Sequence, residues 1–117
     1  MAAPNLGNLT TITGVTSVMT VTTVSVALAA NSTGSNQVWK INTLYVGNIN
    51  TTTTATVTVG FLRGATTTNF ASNISVPPGA SLDIISKSIY LQEADSLMLL
   101  ASVNGYLQAV CSYEIMS

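Results

Sequence analysis

Two short stretches bring side chains with acid–base or nucleophilic chemistry close together. Glu93 and Asp95 form an acidic pair at i, i+2, a spacing that serves a hard cation such as calcium when further oxygen ligands follow at loop spacing. No such set surrounds them, and Gln92-Glu93-Ala94-Asp95 predicts a solvated turn ahead of Ser96. Ser86-Lys87-Ser88 places a hydroxyl on each side of a lysine, but adjacent strand residues point to opposite faces, so Lys87 would serve neither. Histidine is absent, which removes the commonest general base and the commonest transition-metal ligand. The single cysteine, Cys111, leaves a zinc site without ligands and an internal disulfide without a partner; its alternating surroundings predict a small buried core residue. No nucleophile elbow of the Gly-x-Ser-x-Gly type occurs. The chain is therefore expected not to be an enzyme, with no catalytic residue, metal, cofactor or small-molecule substrate.

The charge content narrows the partners. Three basic residues (Lys40, Arg63, Lys87) and four acidic ones (Asp83, Glu93, Asp95, Glu114) give 6% charged residues and a net charge of −1, against roughly 25% charged in a typical soluble domain. Three scattered cations build no phosphate-binding patch, so no nucleic-acid partner is expected. Every run of apolar residues falls short of a membrane helix, Val18 to Ala30 being interrupted by Thr20, Thr22, Thr23 and Ser25. The opening Met1-Ala2-Ala3-Pro4-Asn5 lacks the basic start of a secretory signal, which predicts a cytoplasmic origin. Four glycosylation sequons, at Asn8, Asn31, Asn50 and Asn73, are what a Thr/Ser/Asn-rich chain produces by chance. A surface with so few charges offers little repulsion between copies, and permanent assembly is the natural consequence.

The elements that would carry such a surface are strands. Ala55, Val57, Val59 and Phe61 alternate with Thr54, Thr56, Thr58 and Gly60, which predicts one apolar and one hydroxyl-coated face. The same alternation runs through Leu97 to Val103 and Leu107 to Ile115, and the Asn104-Gly105 between them predicts a tight hairpin. Val76-Pro77-Pro78-Gly79 separates a strand over Phe70 to Val76 from one over Ala80 to Ile85, with a short strand at Ile89 to Leu91. Further strands are predicted over Ser17 to Ala29 and Gln37 to Val46, joined by a loop over Asn31 to Asn36. About eight short strands and no helix predict a single all-β domain, an antiparallel β-sandwich of jelly-roll-like or Ig-like type over residues 17–117. Residues 1–16, broken by Pro4, Asn5, Gly7, Asn8 and Gly14, are expected to form an extended N-terminal arm that orders against a neighbouring subunit by adding to a sheet edge.

Apolar and aromatic residues without an evident core role are the candidate interface: Leu6, Leu9 and Ile12 of the arm, with Trp39, Tyr45 and Tyr106. Trp39, Tyr45, Tyr90 and Tyr106 also suit a stacking platform for sugar rings, so a host-glycan-binding module is a reading from a different class.

Over nearly the whole chain the sequence resembles small virion structural proteins of tailed bacteriophages, in particular those of marine cyanophages. The resemblance is carried by Met1-Ala2-Ala3-Pro4-Asn5, Thr11-Ile12-Thr13-Gly14, Lys40-Ile41-Asn42-Thr43-Leu44 with Val46 and Asn48-Ile49, Ile74-Ser75-Val76-Pro77, Ser88-Ile89-Tyr90-Leu91 followed by Glu93 and Asp95-Ser96-Leu97, and Ala109-Val110-Cys111-Ser112-Tyr113-Glu114. The Thr-rich Thr51 to Thr54 departs from that pattern. It implies a β-sandwich subunit of the virion, assembled in the host cytoplasm. The expected role is capsid decoration or cement, bridging capsomers, with neck, tail or baseplate as the other structural positions. The implied partners are copies of itself, the major capsid protein or other virion proteins.

Overall fold

The computed structural model describes residues 6–117. After a 3₁₀ turn at Leu6–Asn8, nine strands follow: β1 (Ile12–Thr20), β2 (Val26–Ala30), β3 (Val38–Asn48), β4 (Ala55–Arg63), β5 (Thr66–Val76), β6 (Ser81–Asp83), β7 (Ile89–Leu91), β8 (Asp95–Ala101) and β9 (Leu107–Met116). They form two antiparallel sheets. Sheet A has the order β1-β9-β3-β6, with β7 also on β3, and sheet B the order β2-β8-β4-β5. The all-β sandwich expected from the alternation is therefore the architecture, and its strand order is that of a jelly roll.

Alternation explains the core. Inward residues of β3 (Ile41, Leu44, Val46) and β9 (Leu107, Ala109, Cys111) meet those of β4 (Val57, Val59) and β8 (Leu97, Leu99), and all of them are buried. Each fully buried Leu, Ile or Val side chain contributes about 1.5–3 kcal/mol. The odd positions of β8, and of β9 as far as Tyr113, are buried and the even ones more open, as a half-buried strand requires.

Three local expectations differ from the fold. Asn104-Gly105 is not a hairpin turn, because β8 lies in sheet B and β9 in sheet A. Only Gly105, at φ +83°, is left-handed there, whereas a type I′ turn needs positive φ at both central residues. Alternation reports that each strand faces the core; it is blind to the side from which it does so. Asn104 instead accepts a hydrogen bond from the Thr23 N–H through its side chain (2.7 Å).

That bond pins the corner that splits the strand expected over Ser17 to Ala29. After Thr20 the chain turns from sheet A to sheet B. Val21 is buried there, its N–H bonded to Leu107 C=O, while Thr22 C=O accepts from Ala101 N–H. In front of the corner, Ile12 to Thr16, assigned to the arm from sequence, belong to β1, which pairs with β9 without interruption from Ile12↔Met116 to Thr20↔Gln108. The pattern was hidden because β1 mixes apolar and polar residues on both faces: Ile12, Gly14, Thr16 and Val18 on one, Thr13, Val15, Ser17 and Met19 on the other. Thr10 and Thr11 are also tied down, both N–H groups donating to Ser117 C=O.

Candidate interaction surface

The acidic pair is not solvated. Asp95 is fully buried and Glu93 nearly so, because Arg63 at the end of β4 pairs with Asp95 at the start of β8. Arg63 Nε donates to Oδ1 at 2.9 Å and Nη2 to Oδ2 at 2.7 Å, the bidentate geometry of a strong carboxylate pair. Gln92 N–H donates to the same carboxylate (2.8 Å). Hydrogen bonding and charge from Asp95 raise the Arg63 pKa further above its ordinary value, and the guanidinium also lies 5.2 Å from the Phe61 ring centroid. The pair is a strut between neighbouring strands. Among the described residues no three His, Cys, Asp or Glu side chains gather into a metal-binding group.

Ser86-Lys87-Ser88 sits in a bend between β6 and β7 rather than in a strand, with all three residues exposed. Ser88 Oγ donates to Asn42 Oδ1 at 3.4 Å. Cys111 is buried, and desolvation pushes its thiol from 9.0 up to about 11, which suppresses the reactive thiolate.

The Asn residues, read as loop formers, include two buried pins. Asn31 Nδ2 donates to Gln37 C=O (2.9 Å) and Leu91 C=O (3.1 Å), and its Oδ1 accepts from Ser35. Asn48 Nδ2 donates to Thr53 C=O and Val76 C=O, both at 2.9 Å. Each amide ties loops and strand ends of the two sheets together at one end of the sandwich. The Asn31 sequon is thus occupied by structure. Only a chain-wide view of which loops converge would have singled these two out among the many Asn residues.

The aromatic candidates separate into two sets. Trp39 faces inward, half-buried, stacked on Tyr113 with ring centroids 5.1 Å apart and planes 9° apart; its Nε1 donates to Gln37 Oε1. Tyr106 is half-buried against the core. Tyr45 (46% exposed) and Tyr90 (42%) lie on the outer face of sheet A. No single platform holds all four. Of the arm candidates, Leu9 is half-buried, Ile12 is exposed at the start of β1, and the side chain of Leu6, like residues 1–5, lies outside the described residues.

What remains as a candidate site is the outer face of sheet A and its β1 edge. The register sets that face out in rows across the strands. One row runs Gly14, Glu114, Lys40, Tyr90; the next Thr16, Ser112, Thr43; the next Val18, Val110, Tyr45, Asp83. Val18 is 72% exposed and Val110 40%. They also line a shallow depression of about 240 Å³ with Met19, Thr20, Gln108 and Ala109, mainly apolar and without a charged lining residue. Lys40 and Glu114 lie directly opposite each other, yet among the described residues the only ion pair is Arg63–Asp95; Glu114 Oε1 accepts from Asn42 Nδ2 at 3.3 Å instead.

The edges of the two sheets differ. β2 pairs with β8 through a register shift between Ala27 and Ala29, and β5 pairs with β4 through two shifts between Val57 and Gly60. The far edge of sheet A is split into two three-residue strands, β6 and β7. β1 alone is long, regular and free of charge (Ile-Thr-Gly-Val-Thr-Ser-Val-Met-Thr). Bulges, short strands and charges are the devices that keep sheet edges from pairing with other chains, and β1 has none of them.

No helix of the described residues is long and apolar enough to cross a membrane. No protein-family model and no curated protein matches the chain. Among solved structures, the fold is similar to that of a chain from Bacillus endospore appendages, described as a novel family of disulfide-linked pili. The TM-score is 0.54 and the identity 19%, over 99% of this chain and 95% of that one. At that identity the likeness is one of fold.

Proposed function

We propose that the chain is a non-enzymatic structural subunit that works by assembling with copies of itself and with other proteins of a virion, as a decoration or cement unit on the capsid. The observation that carries the assembly reading is the β1 edge: a regular nine-residue strand without charge or bulge, whose outward main-chain groups can take up a further strand. The charge deficit supports it, as does the placement of Asp95 in a strut with Arg63 and of Cys111 in the core. The virion location rests on the sequence resemblance. A decoration subunit would bridge capsomers and bury apolar surface at about 25 cal/mol per Å², a modest contact multiplied around the particle.

Immunogold labelling of purified virions with an antibody against this chain tests the location. Label on heads supports decoration, label on necks or tails moves the subunit there, and unlabelled particles end the virion reading.

The fold likeness to an appendage subunit favours a second structural reading, a filament protomer, since head-to-tail contacts that do not close generate open fibres. Disulfide linkage would not carry over through Cys111, which is buried. Electron microscopy of the concentrated protein separates the readings: filaments from the purified chain alone favour the second.

A further inference from the structure

The rows on the outer face of sheet A are self-complementary about one axis. Place a two-fold along the strand direction, midway between β9 and β3 and in front of the face. The rotation keeps each row and exchanges its columns, so β9 of one copy faces β3 of the other, and β1 faces the β6/β7 column. Glu114 then meets Lys40 of the second copy and Lys40 meets Glu114, two reciprocal ion pairs made from charges that form none among the described residues. In the same row Tyr90 comes to lie over Gly14, where a Cβ would find nothing within 4 Å and the bare backbone leaves room for a ring. One row on, Ser112 meets Thr43, and in the next Val110 meets Tyr45, two of the exposed apolar residues of the face. Val18 against Asp83 is the one pairing that adds nothing, and it falls at the rim, where the carboxylate keeps its water.

We propose that this face is the contact between two copies of the chain, packed sheet on sheet about that axis. Identical sheets pack face to face about 10 Å apart with strand directions within about 30°, a gap that a lysine and a glutamate span together. With the row of Thr20, Gln108, Gly47 and Ser81 added to the three above, and the row of Ile12 left out because its Met116 and Val38 are buried, four strand columns about 4.8 Å apart and four rows about 6.8 Å apart cover on the order of 500 Å² per copy. About 1,000 Å² in total is the lower bound for a specific contact. The dimer is isologous, each residue type contributing twice. The contact rests on the assembly reading above, for which it supplies the partner, and it uses the sheet face rather than the β1 edge.

The register gives the test its specificity. Lys40→Glu sets an acidic side chain against Glu114 at both reciprocal pairs, and Glu114→Lys sets a basic one against Lys40 at both, so each variant alone should dimerise at least about ten-fold more weakly. An equimolar mixture of the two should restore a heterodimer, because the introduced glutamate then faces the introduced lysine while the unchanged Glu114 of one variant faces the unchanged Lys40 of the other. Sedimentation velocity at about 0.5 mM protein, where a contact of this size populates a dimer, reads all three samples. Gly14→Trp, which fills the space beneath Tyr90 at an open position, should weaken the dimer at unchanged Tm. Wild-type dimer undisturbed by either charge reversal, or a mixture no more associated than its components, overturns this contact and leaves the structural-subunit reading standing. A wild-type chain that is monomeric at that concentration and binds no particle removes both.

Discussion

The two sheets share a core but present themselves differently to the outside. The outer face of sheet B, through Thr56, Thr58, Gly60, Leu62, Ser96, Met98 and Leu100, carries no charge and is largely half-buried, and both its edge strands are bulged. Sheet A carries Lys40, Glu114 and Asp83 on its outer face, leaves Val18 and Tyr45 open, and ends in the regular strand β1. Sheet B has its irregularities at its edge strands, whereas the register shift of sheet A, between Ile41 and Thr43 in the β3–β9 pairing, lies inside the sheet and leaves β1 regular. In a chain with so few charges, bulges rather than lysines keep an edge from pairing, and the bulges lie on both edge strands of sheet B.

Asn31 and Asn48 tie the two sheets together, and the largest expected effect comes from uncoupling them. Asn48→Ala removes both side-chain donors that hold Thr53 C=O and Val76 C=O and should lower unfolding free energy by about 2–4 kcal/mol. Urea denaturation measures it, and Asn31→Ala at the other end should fall in the same range. A loss well below this would mean that core packing alone holds the sheets.

Next comes a pair of outward-facing glycines, one in each sheet. A Cβ on Gly60 would lie 2.5 Å from Asn69 Oδ1 and 2.9 Å from Thr67 Cγ2 of β5, whereas one on Gly14 meets nothing within 4 Å. Gly60→Val should destabilise by about 1–3 kcal/mol through overpacking. Gly14→Val should be neutral or stabilising by up to about 1 kcal/mol, since glycine weakens a strand. Equal Tm changes for the two would erase the distinction between a covered and an open face.

A smaller effect sits inside sheet A. The folded-state pKa of Cys111 is raised, from 9.0 to about 11, so the unfolded chain loses this proton first as pH rises. The thiol's contribution to stability is complete below about pH 9 and is lost as pH climbs toward 11. Urea unfolding of wild type and Cys111→Ala across pH 8 to 11 should show the wild type declining more steeply over that window; parallel curves would refute the assignment. Last, Thr13→Lys points a charge inward from the β1 edge, a position that should change stability by less than about 0.5 kcal/mol but block edge pairing. Light scattering of the concentrated protein should fall relative to wild type.

How far these features could be read from sequence depends on the range of the interactions behind them. Strands β3, β4, β8 and β9 were legible because Val57, Val59, Leu97, Leu99 and their neighbours alternate with hydroxyl or open positions, a signal contained in each segment. β1 was not, because Gly14 and Val18 face out while Thr13 and Ser17 face in, and the period cancels. The apparent hairpin at Asn104-Gly105 and the apparent solvated turn at Glu93 to Asp95 failed for a different reason. Both depend on partners far along the chain, Thr23 for the first and Arg63 for the second. Of the candidate interface, Tyr45 and Ile12 are exposed, while Trp39 turns inward to stack on Tyr113; an aromatic in a strand does not declare its face.

The position of β9 has a consequence for synthesis. It comes last of the nine strands, yet it lies between β1 and β3, the strands made first and third. At about 5–20 residues per second, the roughly 90 residues between the end of β1 and the start of β9 take about 4–18 s to add. Through that interval β1 has no partner in its own sheet, and the face that β9 completes does not exist. A nascent chain therefore lacks the proposed contact face until β9 is added, and the proposed dimer would become possible only with the final strand.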